Sequence, residues 1–292
     1  MKELIPFLIE YDSDNVSTTD SDFKRYIENL ETFTTKALPK GLKSIDSYIF
    51  SGCVKLELTK LPETLTSIGD YAFDRCENLK LTELPKGLIH IGEYAFSDCP
   101  KLHITSLPEG LTSIGNCAFD EGKITSITSL PMGLTSIGNY VFKNCIDLEL
   151  TELPKGLIHI GEYAFVNCSN LSITSLPDGL EYIGQCAFSN CSNLSITSLP
   201  KGVTTIYDYA FSGTNLTTIA IHNKVSSIRM DAFRECANLT TVTFEGKTDI
   251  TNNAFRWCDK LTTINVPWSE GQVYGAPWGA TNATINYNYK GE

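Results

Sequence analysis

The chain has 292 residues, 42% of them hydrophobic and 20% charged, a size that ordinarily suggests two domains unless a repeat governs the fold. Twenty-three Lys plus Arg against 34 Asp plus Glu leave a net charge of -11, which repels a phosphate backbone and argues against nucleic-acid binding. The longest apolar run near the start, Leu4 to Ile9, is interrupted by Pro6 and followed by Glu10, and nothing approaches the ~20 apolar residues that span a bilayer, so neither membrane insertion nor a signal peptide is expected.

In chain order, Asp20 or Ser21 is placed to cap a helix whose Phe23, Tyr26, Ile27, Leu30 and Phe33 make an apolar stripe. Residues 1–37 are expected to form an N-terminal capping segment around that amphipathic helix. A repeat follows. A Phe recurs at positions 50, 73, 96, 119, 142, 165, 188, 211, 233 and 255, spaced by 23 residues seven times and then by 22 twice. The segment Thr82 to Phe96 recurs letter for letter at Thr151 to Phe165. A unit this short cannot bury both its faces alone, so stacked neighbours must supply the core, and residues 38–267 are read as a solenoid.

Within one repeat, Leu171-Ser172-Ile173-Thr174-Ser175-Leu176 alternates like a short strand, which Pro177 ends by removing a ladder donor. A turn at Asp178-Gly179 leads to a second extended piece around Leu180 and Ile183, and Gly184 breaks it. Ala187, Phe188 and Cys191 then fall on one face of a single helical turn. The expected fold is an α/β repeat solenoid of about ten 22–23-residue units, with parallel strands on one face, short helical turns on the other and caps at both ends. Residues 268–292, with Pro267-Trp268, Pro277-Trp278 and the alternating Thr284 to Tyr289, read as a C-terminal aromatic cap carrying a terminal strand.

The pattern L-x-x-I-G-x-x-A-F-x-x-C-x-x-L resembles the BspA-type leucine-rich repeat of bacterial surface proteins and some protist proteins, over roughly Leu38 to Pro267. Local departures are Ile49 and Val141 in place of the Ala before Phe, and Gly122 and Thr214 where Cys belongs. The units with Leu239 to Phe244 and Leu261 to Val266 follow L-x-x-L-x-L instead of L-x-I-T-x-L. The resemblance implies leucine-rich repeat architecture, adhesion or host-surface interaction, and a cell-surface location, whereas the start of the sequence points to cytoplasmic synthesis.

Eight of the ten cysteines stand three residues after the repeat Phe, an inward column in which a small thiol packs as a hydrophobe. A row of parallel side chains suits disulfides poorly, and no C-x₂-C spacing supports zinc. No nucleophile-elbow, zincin, P-loop or dinucleotide motif is present, and His90, His103, His159 and His222 are scattered, so no enzyme activity, metal or cofactor is expected.

Binding residues are sought where packing leaves the residue free. Between the first two apolar residues of the L-x-I run stand Glu57, Lys80, His103, Ser126 and Glu149, followed by neutral residues. The charged members Glu57, Lys80, His103 and Glu149 are candidate partner-binding residues on the strand-lined face, with cross-strand pairing of Glu57 and Lys80 as the purely structural alternative. Trp268 and Trp278, with Tyr274, form a second candidate site that stacks on sugar rings, docks to an assembly or only packs the cap. The function expected is a monomeric, non-enzymatic binding scaffold for a protein or glycan surface. The alternative is a structural phage or virion-associated protein that docks through its C-terminal aromatic segment.

Overall fold

A computed structural model describes residues 38, 40–121, 124, 127–272 and 274–290. The N-terminal helix expected over residues 1–37 lies outside the described residues. The chain divides into two compact units, residues 1–134 with 140–147 and residues 135–139 with 148–292.

In the first unit, β1 (Ser44–Ile45), β2 (Ser67–Ile68), β3 (His90–Ile91) and β4 (Ser113–Ile114) form one parallel sheet in chain order. The register is that of the repeat, Ser44 facing Ser67, Ser67 facing His90 and His90 facing Ser113. Each strand is the last two residues of Leu-x-x-Ile, whose Leu and Ile are buried. The following glycine lets successive coils close on each other: Gly69 N–H donates to Ile45 O at 2.7 Å, and a Cβ at Gly69 would stand 2.5 Å from Ser47 N. Behind the sheet, Phe50, Phe73, Phe96, Phe119 and Phe142 stack face to face at 5.3 to 6.1 Å, fully buried. Burial of each such ring contributes roughly 1.5–3 kcal/mol, so this column is the main apolar axis of the unit.

The second unit begins with the same arrangement, β5 (Ser136–Ile137), β6 (His159–Ile160) and β7 (Tyr182–Ile183) in one parallel sheet. A separate parallel sheet of β8 (Thr205–Ile206), β10 (Ser227–Ile228) and β12 (Asp249–Ile250) lies again at the Leu-x-x-Ile position or its equivalent. A third parallel sheet of this unit joins β9 (Thr218–Ile221), β11 (Thr241–Phe244), β13 (Thr263–Asn265) and β14 (Thr284–Asn286). The segment after Pro267 thus returns to the sheet, and Trp268 and Trp278 pack at tilted angles on Phe244, their ring centroids 5.4 and 6.0 Å away.

Two expectations are corrected. No described residue is helical, so the short helical turns are replaced by a ladder of turns. In the nine coils from Phe50 to Phe233 two residues four apart take positive φ, as at Tyr71 (55°) and Arg75 (56°), which no right-handed helical turn permits. The backbone N–H groups alternate between local and inter-coil partners. Ala72, Asp74 and Cys76 bond three residues back, while Tyr71, Phe73 and Arg75 donate to Glu93, Ala95 and Ser97 of the next coil at 2.7 to 3.0 Å. The inter-coil bonds hold the non-glycine residues in the left-handed region, where the penalty is otherwise ~1–2 kcal/mol each.

The second correction concerns the strand. In the coils of the first unit the hydrogen-bonded dipeptide lies at Leu-x-x-Ile, and the L-x-I-T run carries single bonds such as Lys80 N–H to Leu58 O at 3.0 Å. The run becomes a regular strand only from β9 onward.

Candidate functional site

The L-x-I face is built by alternation. Leu56 and Leu58, Leu79 and Leu81, and Leu102 and Ile104 point into the first unit and are fully buried, which turns Glu57, Lys80 and His103 outward on adjacent coils. Lys80 N–H to Leu58 O and His103 N–H to Leu81 O, both 3.0 Å, fix the backbone beneath them. Lys80 Nζ lies 3.4 Å from Glu57 Oε1 with both side chains about half exposed, so the cross-coil pair foreseen as the structural alternative exists. Lys60 Nζ and Glu83 Oε1 make a parallel pair at 3.4 Å. Exposed pairs contribute ~0–1 kcal/mol, so the fold does not depend on this charge pattern. In the second unit Glu149 is likewise exposed between buried Leu148 and Leu150, beside Ser172, whose N–H donates to Leu150 O at 3.0 Å.

The tryptophans are placed differently. Trp268 is 8% and Trp278 3% exposed, and they form the floor of a hollow of about 510 Å³ in the second unit. Its walls include Lys247, Asp249, Asn252 and Gln272, and Tyr274 stands on its rim. Trp278 Nε1–H donates to Tyr274 O at 2.9 Å, so the indole is tied to the rim it supports.

Sequence reasoning overlooked several surface features. Tyr48, Tyr71 and Tyr94 stack in parallel at 4.7 and 4.6 Å, and their spacing of 23 residues was the signal that could have found them. The hydrogen bond of Tyr94 to Cys117 pushes its phenol up to about 12. His159 stacks on Tyr182 at 4.5 Å. Ile89 and Ile158, one repeat position, are about half exposed, and Trp257 lies 4.1 Å from each of the Arg234 and Arg256 guanidinium carbons.

All ten cysteines are buried and unpaired by disulfides. The Cys column also donates hydrogen bonds, which the sequence did not disclose. The thiols of Cys76, Cys99 and Cys191 point at the carbonyls of Phe50, Phe73 and Phe165 at 3.0 to 3.1 Å, where the Phe oxygen already accepts a backbone N–H. Thr214, at the same repeat position, directs its hydroxyl instead to Phe211 O of its own coil at 2.7 Å, where the Cys236 thiol of the next coil also points at 3.2 Å. Burial pushes Cys53 and Cys99 up to about 12 and raises Cys76 and Cys191 as well, which keeps the nucleophilic thiolate form scarce. Among the described residues no cluster of three or more His, Cys, Asp or Glu is placed to hold a metal ion, and no helix is long and apolar enough to cross a membrane.

The family model described as BspA type leucine rich repeat region, in six copies, matches residues 21–149, 128–240 and 158–274. Among solved structures, a leucine-rich repeat protein from Bacteroides ovatus is 24% identical with a TM-score of 0.54, covering 84% of this chain and 64% of that one. The chain therefore spans somewhat under two thirds of that protein's length. A leucine rich cell surface protein from Faecalibacterium prausnitzii is 22% identical with a TM-score of 0.40, covering 89% and 87% of the two chains. The pneumococcal vaccine antigen PcpA is 19% identical with a TM-score of 0.49, covering 88% and 79%. No curated protein matches the chain.

Proposed function

Because the chain belongs to the BspA-type leucine-rich repeat family, we propose that it is a non-enzymatic binding scaffold that recognises a protein or glycan surface at the cell exterior. The recognition surfaces are the L-x-I faces of the two units, each taken by itself, with Glu57, Lys80 and His103 on the first unit and Glu149 on the second. The observation that supports this reading is the separation of roles along each run. The flanking apolar residues are fully buried and carry the fold, while the residue between them is exposed and contributes little to packing. Three such side chains of different charge character, on adjacent coils of a hydrogen-bonded backbone, make a patterned and pre-organised surface.

The test is binding of the fluorescently labelled protein to cultured epithelial cells, with and without prior treatment of the cells by protease or by glycosidases. The expected result is saturable binding abolished by one of the two treatments, and weakened about tenfold, or 1.4 kcal/mol, in the Glu57→Ser, Lys80→Ser, His103→Ser, Glu149→Ser variant. Equal binding by variant and wild type overturns the assignment of the face.

A further inference from the structure

The hollow in the second unit combines features that packing alone does not require. Tyr274 is 86% exposed, so its ring contributes almost nothing to the core, although its carbonyl is anchored by the Trp278 indole at 2.9 Å. Trp278 is held in turn by its own N–H to Gly275 O at 3.0 Å and by Phe255 N–H to its carbonyl at 2.9 Å. A large aromatic side chain is thus presented to solvent on a braced loop, above an aromatic floor.

The polar lining is equally specific. Asn252 and Gln272 supply amide groups, each with donors and an acceptor. Gln272 uses its oxygen to accept Ser269 N–H at 3.3 Å, which directs its remaining capacity outward as a donor. Gly275 takes a φ of +70°, and a Cβ there would overlap Asn252 Oδ1, so the absent side chain keeps the Asn252 amide beside the hollow. Lys247 and Asp249 face the same space and cancel formally, giving a neutral site on a chain of net charge -11. The volume of about 510 Å³ falls within the ~300–1,000 Å³ of small-molecule sites.

Aromatic surface, amide donors and acceptors, and the absence of net charge match one ligand chemistry, an uncharged ring with an apolar face and polar edges. We propose that this hollow is a binding site for a neutral saccharide, with a pyranose ring seated against Tyr274 and its hydroxyls met by Asn252 and Gln272. Acidic sugars are disfavoured because Asp249 offsets the one cation of the wall. The site lies within the second unit and uses no residue of the L-x-I face.

The experiment uses the full chain and its own three tryptophans, two of which floor the hollow. Tryptophan emission is titrated with the methyl glycosides of glucose, galactose, mannose and N-acetylglucosamine and with their neutral oligomers, and with sialyllactose as the acidic comparison. A saturable change is expected with at least one neutral sugar. Tyr274→Ala should weaken it about tenfold, corresponding to loss of the stacking surface, and should leave the melting temperature unchanged because the ring is exposed. Asn252→Ala should weaken it severalfold. The Glu57→Ser, Lys80→Ser, His103→Ser variant should bind sugar like wild type, which separates this site from the proposed surface-recognition face. The proposal is overturned if no neutral sugar saturates the signal, if sialyllactose alone does so, or if Tyr274→Ala binds as wild type.

Discussion

The coils that contain Leu56 to Pro200 and those that contain Leu216 to Val266 fill their interiors with the same residue types in different spacing. In the earlier coils the buried residues of the run are the first, third and sixth, as at Leu79, Leu81 and Leu84, and two outward residues in succession, Thr82 and Glu83, interrupt the alternation. In the later coils they are the first, fourth and sixth, as at Leu239, Val242 and Phe244, so the two successive outward residues, Thr240 and Thr241, come early and alternation holds unbroken over the last four residues. Period-two alternation is what a strand ladder needs. The later runs accordingly pair over four residues in β9 and β11, while the earlier ones keep single bonds and leave the ladder to Leu-x-x-Ile. A shift of one apolar residue therefore moves the main-chain pairing from one side of the coil to both.

The comparison breaks first at what the two regions share. Phe73→Ala in the first region and Phe233→Ala in the second each remove a fully buried ring stacked on both sides. Each should cost ~3–5 kcal/mol in denaturant unfolding, and a loss confined to one region would show that the Phe column is not a common axis.

Smaller effects are expected at the donors to the Phe carbonyls, which are thiols in both regions, as at Cys99 and Cys258, and are joined by a hydroxyl at Thr214. Thr214→Val removes a hydroxyl held at 2.7 Å from Phe211 O, which keeps the Cys236 thiol at 3.2 Å as a second donor, and should cost ~0.5–1.5 kcal/mol, the worth of one hydrogen bond. Cys99→Ala removes the weaker thiol donor at 3.0 Å from Phe73 O and should cost less than that loss, with Cys99→Ser recovering part of it. Equal or absent effects in thermal melts would assign the Cys position to volume alone.

The same thiols impose a pH dependence. Burial raises Cys53 and Cys99 from 9.0 to about 12, so between those values the folded state retains protons that the unfolded state releases. Stability is fully present below the unfolded value and falls as pH rises through that window. Melting temperatures taken upward from neutral pH should decline there, and a thiol reagent at neutral pH should react only after denaturation. Rapid labelling of the native protein would contradict the buried column.

The smallest effect is expected on the outward face. Glu57→Ser breaks an exposed pair with Lys80 and should change stability by less than ~0.5 kcal/mol. A larger loss would mean that the charge column is structural, which would remove the reason for reading it as a recognition surface.

The period, the inward Leu, Phe and Cys columns and the adjacency of Glu57 and Lys80 were legible because stacked identical units repeat burial in phase with sequence. Thr82 to Phe96 and Thr151 to Phe165 are the same words and bury the same positions, except that His90 is exposed where His159 is partly covered and stacks on Tyr182. The turn segment was not legible. Ala187, Phe188 and Cys191 have helical spacing, yet Phe188 N–H is taken by Ala210 O of the next coil at 2.9 Å, a partner that local pattern cannot register.

The hollow was legible only in its aromatic residues, Trp268, Tyr274 and Trp278. Apart from Gln272, the walls come from Lys247 to Asn252, some twenty residues earlier and one coil away. Amphipathic period is a property of neighbours along the chain, so the sequence alone determined which residues turn inward and how often. Hydrogen bonds between coils and the placing of Trp268, Tyr274 and Trp278 around the same hollow as β12 join residues about a repeat apart, so only tertiary structure decided where the ladders run and that a polar, aromatic-lined hollow stands in the second unit.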